Sequence, residues 1–490
     1  MLTPVLDTLL LFSLVTPIVG LISPRKRSCI IGGIVSLIGL IISAFFLANL
    51  LPQIFIKPLE IPINAGPVHA RLVVDVPGSF VGFLAIALGI FVVMYSINFM
   101  EKDAGTPLYY GLLILMTAGM VGVAFSGDFF TLFVFWELMC VSSYVLVGFR
   151  RTRRESVEAA VKYTVMSAAG SATILFGMSL LYGLTGTLGL TELASILESA
   201  KGGIWLYITL LMLIAGFGIK AAIVPLHTWL PDAYTAAPSP VSAIIAGAST
   251  ELGVFVVCKL LFFIFPALIT GWTMFFAVFS VLNMLIGNIA GLLQNDVKRM
   301  LAYSSIAHIG YIFIGVAAGT QLGLTGALLH IFNHGILKAL AFLCIGAVIY
   351  RLGARTLEDI TGVGRKMPIT ASVFILAVLG LIGMPPLNGF ISKLVLFTSS
   401  LDAGMLWLGI LLIIFSAVST GYYLRILKAL IASPRERAAD VKEAPILMLI
   451  PMLALAFLVV LFGIWPDPVL AFAKSSSSWL MEVGKYVGGV

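Results

Sequence analysis

The amino-acid sequence predicts an all-α integral membrane protein with about fourteen transmembrane helices. Of its 490 residues, 60% are hydrophobic and 10% are charged, whereas soluble domains carry roughly 25% charged residues. The apolar residues fall into segments of about 20 residues, which is the length that a helix needs to cross the hydrocarbon core. The basic residues between these segments are concentrated on one side of the predicted membrane, as in other multi-pass membrane proteins.

Short polar loops separate the apolar segments, and no stretch has the composition of a soluble domain. The longest polar connection is residues 51–77, and the tail after Pro466 is only weakly amphipathic. The approximate limits of the segments are 4–22, 28–50, 78–98, 108–126, 129–149, 157–183, 204–228, 240–265, 272–294, 299–319, 323–350, 369–400, 404–430 and 446–466.

The loop charges support this count and give an orientation. If the N-terminus is outside, 19 of the 29 Lys and Arg residues fall in loops that face the cytoplasm, and five fall on the opposite side. This asymmetry predicts a multi-pass protein of a prokaryotic cytoplasmic membrane with both termini outside. Because the basic residues lie in these loops, the net charge of +7 does not indicate nucleic-acid binding.

The cysteines and glutamines are few. The four cysteines are far apart and form no CxxC pair, so we expect no metal, iron–sulfur or disulfide site in this chain. The three glutamines and four cysteines favour a thermophilic source, although a lipid-facing composition produces the same scarcity.

Two apolar segments combine a lysine with a proline break. Lys220 opens the stretch KAAIVPLHTWLPDAYTAAPSPVSA, in which Pro225 has no N–H to donate to the carbonyl of Ala221. A charge in hydrocarbon costs roughly 3 kcal/mol, and an ammonium beside a freed carbonyl in a broken helix is typical of ion-transport sites. The sequence therefore predicts a broken seventh helix with a buried lysine; a lysine that snorkels to the surface is the alternative.

The second break lies in the sequence MPPLNGFISK. Pro385 and Pro386 free the carbonyls of Leu381 and Ile382, and Lys393 follows. The sequence therefore predicts a broken twelfth helix that also carries a lysine.

Other ionisable residues lie in mid-span. Glu137 lies in FFTLFVFWELMCVSSYVLVGF with no route to either surface, and Lys338 is central in its own segment. Glu251 is equally central, with a structural pair to a neighbouring lysine as the alternative. His308 lies in a tract with serines and a tyrosine, where a hydrogen-bonded core histidine is the simpler interpretation. We interpret these four residues as functional because ionisable groups inside a membrane are expensive.

The remaining polar residues of the spans have weaker patterns. His330 and His334 are four residues apart on one helix face, as metal ligands can be, but no third ligand is evident. A polar relay that includes Asn333 and Lys338 fits better. Lys162 and Lys259 lie towards the ends of their spans, so we predict that both snorkel.

Similar spacings in the two halves indicate an internal repeat. Glu137 and Lys220 are 83 residues apart, and His308 and Lys393 are 85 apart. Successive five-helix units then have opposite orientation, as in transporters with inverted repeats. The predicted division is 1–107 with helices 1–3, 108–265 with the first repeat (helices 4–8), 272–430 with the second repeat (helices 9–13), and 431–490 with helix 14 and a short tail.

At these residues the sequence resembles a known family, the antiporter-like membrane subunits of respiratory complex I, of Mrp-type Na⁺/H⁺ antiporters and of membrane-bound hydrogenase complexes. The resemblance covers roughly residues 75–430 and implies fourteen core helices in two inverted five-helix repeats. The motifs that carry it are FVFWELM, GFGIKAAIVPLHTWLPDAYTAAPSPVSA, DVKRMLAYSSIAHIGY, HIFNHGILKALAFLCIGAV and GMPPLNGFISK.

The resemblance implies roles for matching residues. Glu137 is similar to the glutamate that pairs with the lysine of the broken seventh helix, here Lys220. His308 and Lys338 match the central polar axis of the second repeat, and Lys393 matches the ionisable residue of the broken twelfth helix, near one exit. The chain departs from the pattern where many members have a lysine, since Glu251 reverses the local charge.

The function implied is an ion-translocating subunit of a multisubunit redox-driven pump, with protons or sodium ions as cargo. No cofactor is expected in this chain, and Fe–S clusters, with Ni–Fe as a further option, are expected only in partner subunits. Expected partners are further antiporter-like subunits, small membrane subunits and lipid. Alternatives are an Mrp-type antiporter subunit without redox chemistry, a quinone-binding subunit and an inactive scaffold. The predicted path comprises Glu137, Lys220, Glu251, His308, Lys338 and Lys393, supported by Pro225, His330, His334, Pro385 and Pro386.

Overall fold

The computed structural model describes residues 3–24, 27–65, 68–198, 203–434 and 441–482. Most of the basic loop residues behind the predicted orientation fall within these ranges. Six of them lie outside the described residues: Arg25, Lys26, Lys201, Arg435, Arg437 and Lys485.

The described residues form a bundle of membrane-length helices, which confirms the predicted fold class. Twelve helices are long and apolar enough to cross a membrane. Two shorter apolar helices, Ile204–Lys220 and Pro368–Ile382, are each followed by a break and a second short helix. These two interrupted segments are the seventh and twelfth of the fourteen predicted spans. The inverted relation of the repeats and the predicted division of the chain stay predictions.

The first part of the chain contains five long helices and a hairpin that the sequence analysis did not predict. Within residues 51–77, two antiparallel strands pair Leu59 with Val74. The hairpin packs against the start of the fifth helix, where the Arg71 backbone N–H donates to Asp128 Oδ2 at 2.8 Å. The elements are α1 (Pro4–Ile22), α2 (Ser28–Ile54), β1 (Leu59–Ala65), β2 (Val68–Val74), α3 (Val76–Phe99), α4 (Thr106–Ala124) and α5 (Phe129–Val147).

The next helices contain the first break, residues 221–228, and a fully buried span. Two π-helical turns, Ile245–Ser249 and Lys259–Ile264, flank the helix that carries Glu251, and such turns are frequent at functional sites. The whole segment Ser239–Ile264 is buried inside the bundle. The helices are α6 (Arg154–Thr185), α7 (Leu190–Glu198), α8 (Ile204–Lys220), α9 (Trp229–Ala236), α10 (Ser239–Ile244) and α11 (Thr250–Cys258).

The remaining helices contain the second break and an ordered tail. The tail after Pro466 forms a helix that packs on the bundle, where Ser477 Oγ and Thr325 Oγ1 are 2.7 Å apart. Short 3₁₀ turns lie at Pro266–Leu268 and Val363–Arg365. The helices are α12 (Ile269–Leu292), α13 (Val297–Ala318), α14 (Gln321–Leu352), α15 (Pro368–Ile382), α16 (Asn388–Asp402), α17 (Leu406–Ile431), α18 (Ile446–Ile464) and α19 (Asp467–Met481).

Burial separates inner from outer helices. In their most apolar stretch, the segment Ser239–Ile264 is fully buried, α13 is 94% buried and α14 is 78% buried, whereas α1, α6 and α17 are each buried to about a third. The inner helices carry Glu251, His308, His330, His334 and Lys338. The bundle therefore shields these ionisable side chains from lipid.

Candidate functional site

Lys220 is the last residue of α8 and is buried in a pocket of hydroxyl and aromatic groups. Its Nζ donates to Ser143 Oγ at 3.3 Å and to the hydroxyl of Tyr163. It also lies 4.9 Å from the centre of the Tyr163 ring and 5.8 Å from that of Trp229. Since Lys220 is only 1% exposed, the snorkelling alternative is wrong.

The backbone groups of the first break are bonded to side chains other than Lys220. The Trp229 Nε1–H donates to the carbonyl of Ile219 at 2.7 Å. Asn283 Nδ2 donates to the carbonyl of Ala222 at 3.1 Å. The hydrogen bonds of the ammonium therefore go to hydroxyl groups and not, as expected, to a freed carbonyl.

Glu137 lies on α5, half-buried, and contacts α6. Its Oε1 accepts a hydrogen bond from Ser171 Oγ at 2.5 Å. In the part of the chain that the structure describes, no ion pair within 4.0 Å joins Glu137 to Lys220. The family resemblance implies such a pair, but here the ammonium is engaged by Ser143 and Tyr163.

Glu251 lies on α11 and contacts α14. Its Oε1 is 2.5 Å from Nδ1 of His334, and both side chains are at most 1% exposed. The other carboxylate oxygen, Oε2, and His334 Nε2 have no hydrogen-bond partner among the described residues. Among the described residues, no ion pair within 4.0 Å joins Glu251 to a lysine, and Lys338 donates instead to the carbonyl of Leu301 at 2.8 Å and to the hydroxyl of Ser304.

Three imidazole rings form a stack between α13 and α14. The ring of His308 is nearly parallel to those of His330 and His334, with centroid distances of 5.3 and 4.5 Å. His308 Nδ1 is 3.1 Å from His330 Nε2, and His330 Nδ1 is 2.9 Å from Ser392 Oγ. The predicted relay contained His330 and His334 with Asn333 and Lys338, whereas the structure groups His330 and His334 with His308.

Asn333 does not join this relay. Its Nδ2 donates to the carbonyl of Asn388 at 2.9 Å, and Asn388 Nδ2 donates back to Asn333 Oδ1 at 3.1 Å. The pair instead fixes the start of α16 against α14. Within the described ranges, no group of three or more His, Cys, Asp or Glu side chains is arranged to hold a metal ion.

Lys393 lies on α16 and caps the second break. Its Nζ donates to the carbonyls of Leu381 and Ile382 at 3.0 and 2.9 Å, and to Ser416 Oγ at 3.0 Å. It also lies 4.7 Å from the centre of the Tyr311 ring. These are the two carbonyls that the sequence predicts to be freed by the proline pair.

Together these contacts form two polar clusters. A series of groups in contact runs from Glu251 through His334, His308 and His330 to Ser392, the residue before Lys393. Hydrogen bonds join Glu251 to His334 and join His308, His330 and Ser392, whereas His334 and His308 stack without one among the described residues. Because imidazoles and hydroxyls both donate and accept, the series can pass a proton where a water molecule joins these two stacked rings. The first cluster joins Lys220, Tyr163 and Ser143.

The two clusters approach each other at a glycine. A methyl group added to Gly253 would lie 2.9 Å from the backbone nitrogen of Ala221. The helix that carries Glu251 therefore packs directly against the residue after Lys220. No hydrogen bond joins these two side chains within the described residues.

The sequence analysis missed six side chains of the site: Ser143, Tyr163, Ser171, Asn283, Ser392 and Ser416. Each is a neutral polar residue in an apolar helix, and this pattern alone does not separate a site residue from a group bonded within its own helix.

The two lysines that were predicted to snorkel, Lys162 and Lys259, differ from each other. Lys162 is half-exposed and pairs with Glu158 and Asp232 at 2.8 and 3.0 Å. The prediction for Lys259 is wrong, because it is buried and donates to the carbonyl of Ser126 at 3.2 Å.

Comparison with known proteins identifies the same region. Residues 126–421 match the family model described as NADH:quinone oxidoreductase/Mrp antiporter, TM. The chain is 33% identical over 419 residues to F(420)H(2) dehydrogenase subunit N of Methanosarcina mazei, with 84% of this chain and 85% of that protein covered. It is 35% identical over 414 residues to NADH-quinone oxidoreductase subunit N of Desulforamulus reducens, with 84% and 86% covered.

Solved structures give the same fold. A chain of the archaeal membrane-bound sulfane sulfur reductase superposes with a TM-score of 0.89 at 26% identity, with 99% of this chain and 98% of that chain covered. A chain of respiratory complex I from Thermus thermophilus gives a TM-score of 0.76 at 29% identity, with 95% and 98% covered. A chain of the Mrp complex from Dietzia sp. gives a TM-score of 0.88, with 99% and 97% covered, and at 23% identity this likeness concerns the fold alone.

Proposed function

This chain belongs to the NADH:quinone oxidoreductase/Mrp antiporter transmembrane family, and from that premise we propose the route that ions take through it. The chain is an antiporter-like, ion-translocating subunit of a multisubunit membrane complex. The cargo proposed is the proton. The route runs from Glu137 and Lys220 to Glu251, and then along the histidine stack, with Lys338 beside it, to Lys393.

The series from Glu251 to Ser392 is the observation that carries this proposal. Burying so many polar side chains is expensive unless each finds a partner, yet one oxygen of Glu251 and one ring nitrogen each of His308 and His334 have none among the described residues. Such atoms are sites where a water molecule or a transferred proton can bind. A network that only stabilised the fold would leave fewer buried polar atoms without a hydrogen-bond partner.

The first cluster is suited to exchange a proton. As an ammonium, Lys220 donates to Tyr163 and Ser143; as a neutral amine, it can accept from either hydroxyl. Its hydrogen bonds can therefore reverse without leaving a buried group unpaired. Because Glu137 of α5 accepts a hydrogen bond from Ser171 of α6, the helix that carries Tyr163, a change in its charge or hydrogen bond can bias this exchange.

A proton fits the Glu251 site better than a sodium ion does. Ser249 Oγ and Glu251 Oε2 are both buried and without a partner, and hard oxygen ligands of this kind suit Na⁺. However, Thr250 Oγ1 is bonded to the Tyr234 hydroxyl at 2.6 Å, and His334 is bonded to Oε1. Few ligand positions remain for a cation, whereas an imidazole beside a carboxylate is a proton-transfer pair.

The decisive test is the Lys220→Ala variant of the complex purified from its own membrane and placed in liposomes. We expect assembly to be normal and driven ion movement to be lost, because the exchanging amine is gone. Lys474→Ala changes an exposed lysine on α19 and is the matched control. Full ion movement by Lys220→Ala would rule out this route.

The driving force is the second part of the proposal. We infer a redox-driven pump, with Fe–S clusters, or additionally Ni–Fe, in partner subunits only, and further antiporter-like and small membrane subunits beside this chain in the lipid. We also place both termini outside a prokaryotic cytoplasmic membrane. Metal analysis and identification of the co-purifying chains test this. Recovery of small membrane partners without metal would favour an Mrp-type exchanger driven by ion gradients.

A further inference from the structure

Asn283 is a buried amide of α12 that the proposed route does not use. Its Oδ1 accepts from the backbone N–H of Val224 at 3.0 Å, and its Nδ2 donates to the carbonyl of Ala222 at 3.1 Å. The same Nδ2 is 3.4 Å from the carbonyl of Ile306. One side chain therefore bonds two residues of the first break and one residue of α13.

The helices behind Asn283 form a rigid support. A methyl group added to Gly287 of α12 would lie 2.5 Å from the Ala307 backbone nitrogen, so the two backbones are in close contact. Ser280 Oγ also donates to the carbonyl of Gly310 at 2.7 Å. Asn283 lies on this same face of α12, between Ser280 and Gly287. The position of its amide is therefore fixed relative to α13 and to His308.

The backbone that Asn283 bonds is strained. Ala222 has a φ of +52°, a left-handed conformation that costs an alanine free energy and persists only where the surroundings enforce it. Among the described residues, it is the only non-glycine residue with a positive φ. The two bonds of Asn283 to the break hold the carbonyl of Ala222 itself and the N–H of Val224, so they flank Ile223, the residue that follows the strained one. They are well placed to hold the strained conformation.

We propose that Asn283 is a positioning residue that holds the first break in its strained conformation and couples it to the helix that carries His308. This inference rests on the proposed ion route and adds a mechanical link between its two clusters. A shift of α12 and α13 that lengthens the bonds of Asn283 releases Ala222. The break then relaxes and moves Lys220, two residues earlier, away from Tyr163. In reverse, movement of Lys220 is transmitted to α13.

The experiment compares Asn283→Ala with Asn288→Ala in the purified complex in liposomes. Asn288 is also a buried amide of α12, but it donates to the carbonyl of Met284 at 2.7 Å and has no bond to the break. We expect Asn283→Ala to lower driven ion movement about tenfold and Asn288→Ala to change it less than about twofold. Hydrogen exchange of the peptide around Val224 should also rise in Asn283→Ala alone.

A second substitution separates positioning from packing. Glycine adopts positive φ freely, so Ala222→Gly removes the strain that Asn283 holds. We expect driven ion movement by the double variant Ala222→Gly/Asn283→Ala to be at least about threefold faster than by Asn283→Ala. Ala222→Gly alone should move ions like the parent complex. A cavity left by the shortened side chain would not be repaired by a glycine elsewhere.

The outcomes distinguish the two proposals. If Lys220→Ala stops ion movement while Asn283→Ala behaves like Asn288→Ala, the coupling by Asn283 is wrong and the route stands. If the double variant stays as inactive as Asn283→Ala, Asn283 acts through packing and the inference is also overturned. Should Asn283→Ala fail to assemble, Asn283→Asp replaces it, since aspartate keeps the acceptor for Val224 and loses the donor to Ala222.

Discussion

The two broken helices each bury a lysine, but they place it in opposite chemical surroundings. At the first break, Lys220 donates to two hydroxyls and lies over two aromatic rings. The nearby carbonyls of Ile219 and Ala222 are bonded to Trp229 and Asn283. At the second break, Lys393 itself bonds both freed carbonyls and one hydroxyl.

The difference assigns different roles to the two lysines. An ammonium has three N–H donors, and Lys393 uses all three, two of them on carbonyls that can only accept. A neutral amine in the same place could still donate to both carbonyls, but its lone pair would then have only the Ser416 hydroxyl as a donor. Lys220 has two hydroxyl partners and no carbonyl partner. We infer that Lys220 exchanges protons freely in place, whereas exchange at Lys393 depends on Ser416 or on a movement of α16.

Removing the Tyr163 hydroxyl tests the first half of this comparison and has the largest expected effect. Tyr163→Phe keeps the ring, which stacks on Trp229 with centroids 4.1 Å apart, and removes the reversible partner of Lys220. A hydrogen bond to a charged group is worth roughly 1.5–3 kcal/mol, so driven ion movement should fall about 10- to 100-fold. It is measured in liposomes, with the exposed Tyr182→Phe of the same helix as control. Parent-like activity in Tyr163→Phe would remove the hydroxyl from the mechanism.

Replacing each lysine by methionine tests which break depends on its ammonium for stability. Lys393→Met leaves two buried carbonyls without donors, at about 1–3 kcal/mol each. Lys220→Met leaves none, because Trp229 and Asn283 still bond that break. The melting temperature of the purified complex should therefore fall more for Lys393→Met. Equal losses would show that the two breaks do not differ in this way.

The sequence identified both breaks and their lysines because proline and charge within an apolar segment are strong local signals. It also located the carbonyls of Leu381 and Ile382, since their loss of a donor follows from the proline positions alone. The side chains that bond Lys220 and the backbone of its break were not predictable. Tyr163 and Asn283 come from helices 57 residues before and 63 residues after it, and no local pattern separates these side chains from other polar residues in spans. The hairpin of residues 59–74 was missed for a different reason, since a short strand pair has a weak pattern beside long apolar helices.

Glu251→Gln tests the residue whose helix packs against the first break, where the two clusters approach each other. Glutamine preserves the shape and a hydrogen bond to His334, but it removes the charge that a proton relay needs. We expect driven ion movement to fall several-fold, about 3- to 10-fold, with assembly unchanged. For a proton route, the loss should be the same with and without sodium. A loss seen only in the presence of sodium would instead assign Na⁺ to the Glu251 site.

Ser416→Ala has the smallest expected effect. It tests whether the ammonium of Lys393 needs a partner for its third N–H group. The substitution removes the one hydroxyl partner and leaves the ammonium bonded to the carbonyls of Leu381 and Ile382. The third N–H then has no partner, which weakens the cap by about 1 kcal/mol, and we expect a melting temperature a few degrees lower with ion movement within about twofold of the parent. Ser419, one turn further along α17, donates to the carbonyl of Ser416 at 2.7 Å and does not bond Lys393 among the described residues, so Ser419→Ala serves as control. If Ser416→Ala instead lowered ion movement as strongly as Tyr163→Phe, Lys393 would also exchange its proton through a hydroxyl. The two breaks would then work by the same chemistry, and the difference in their carbonyl partners would concern stability alone.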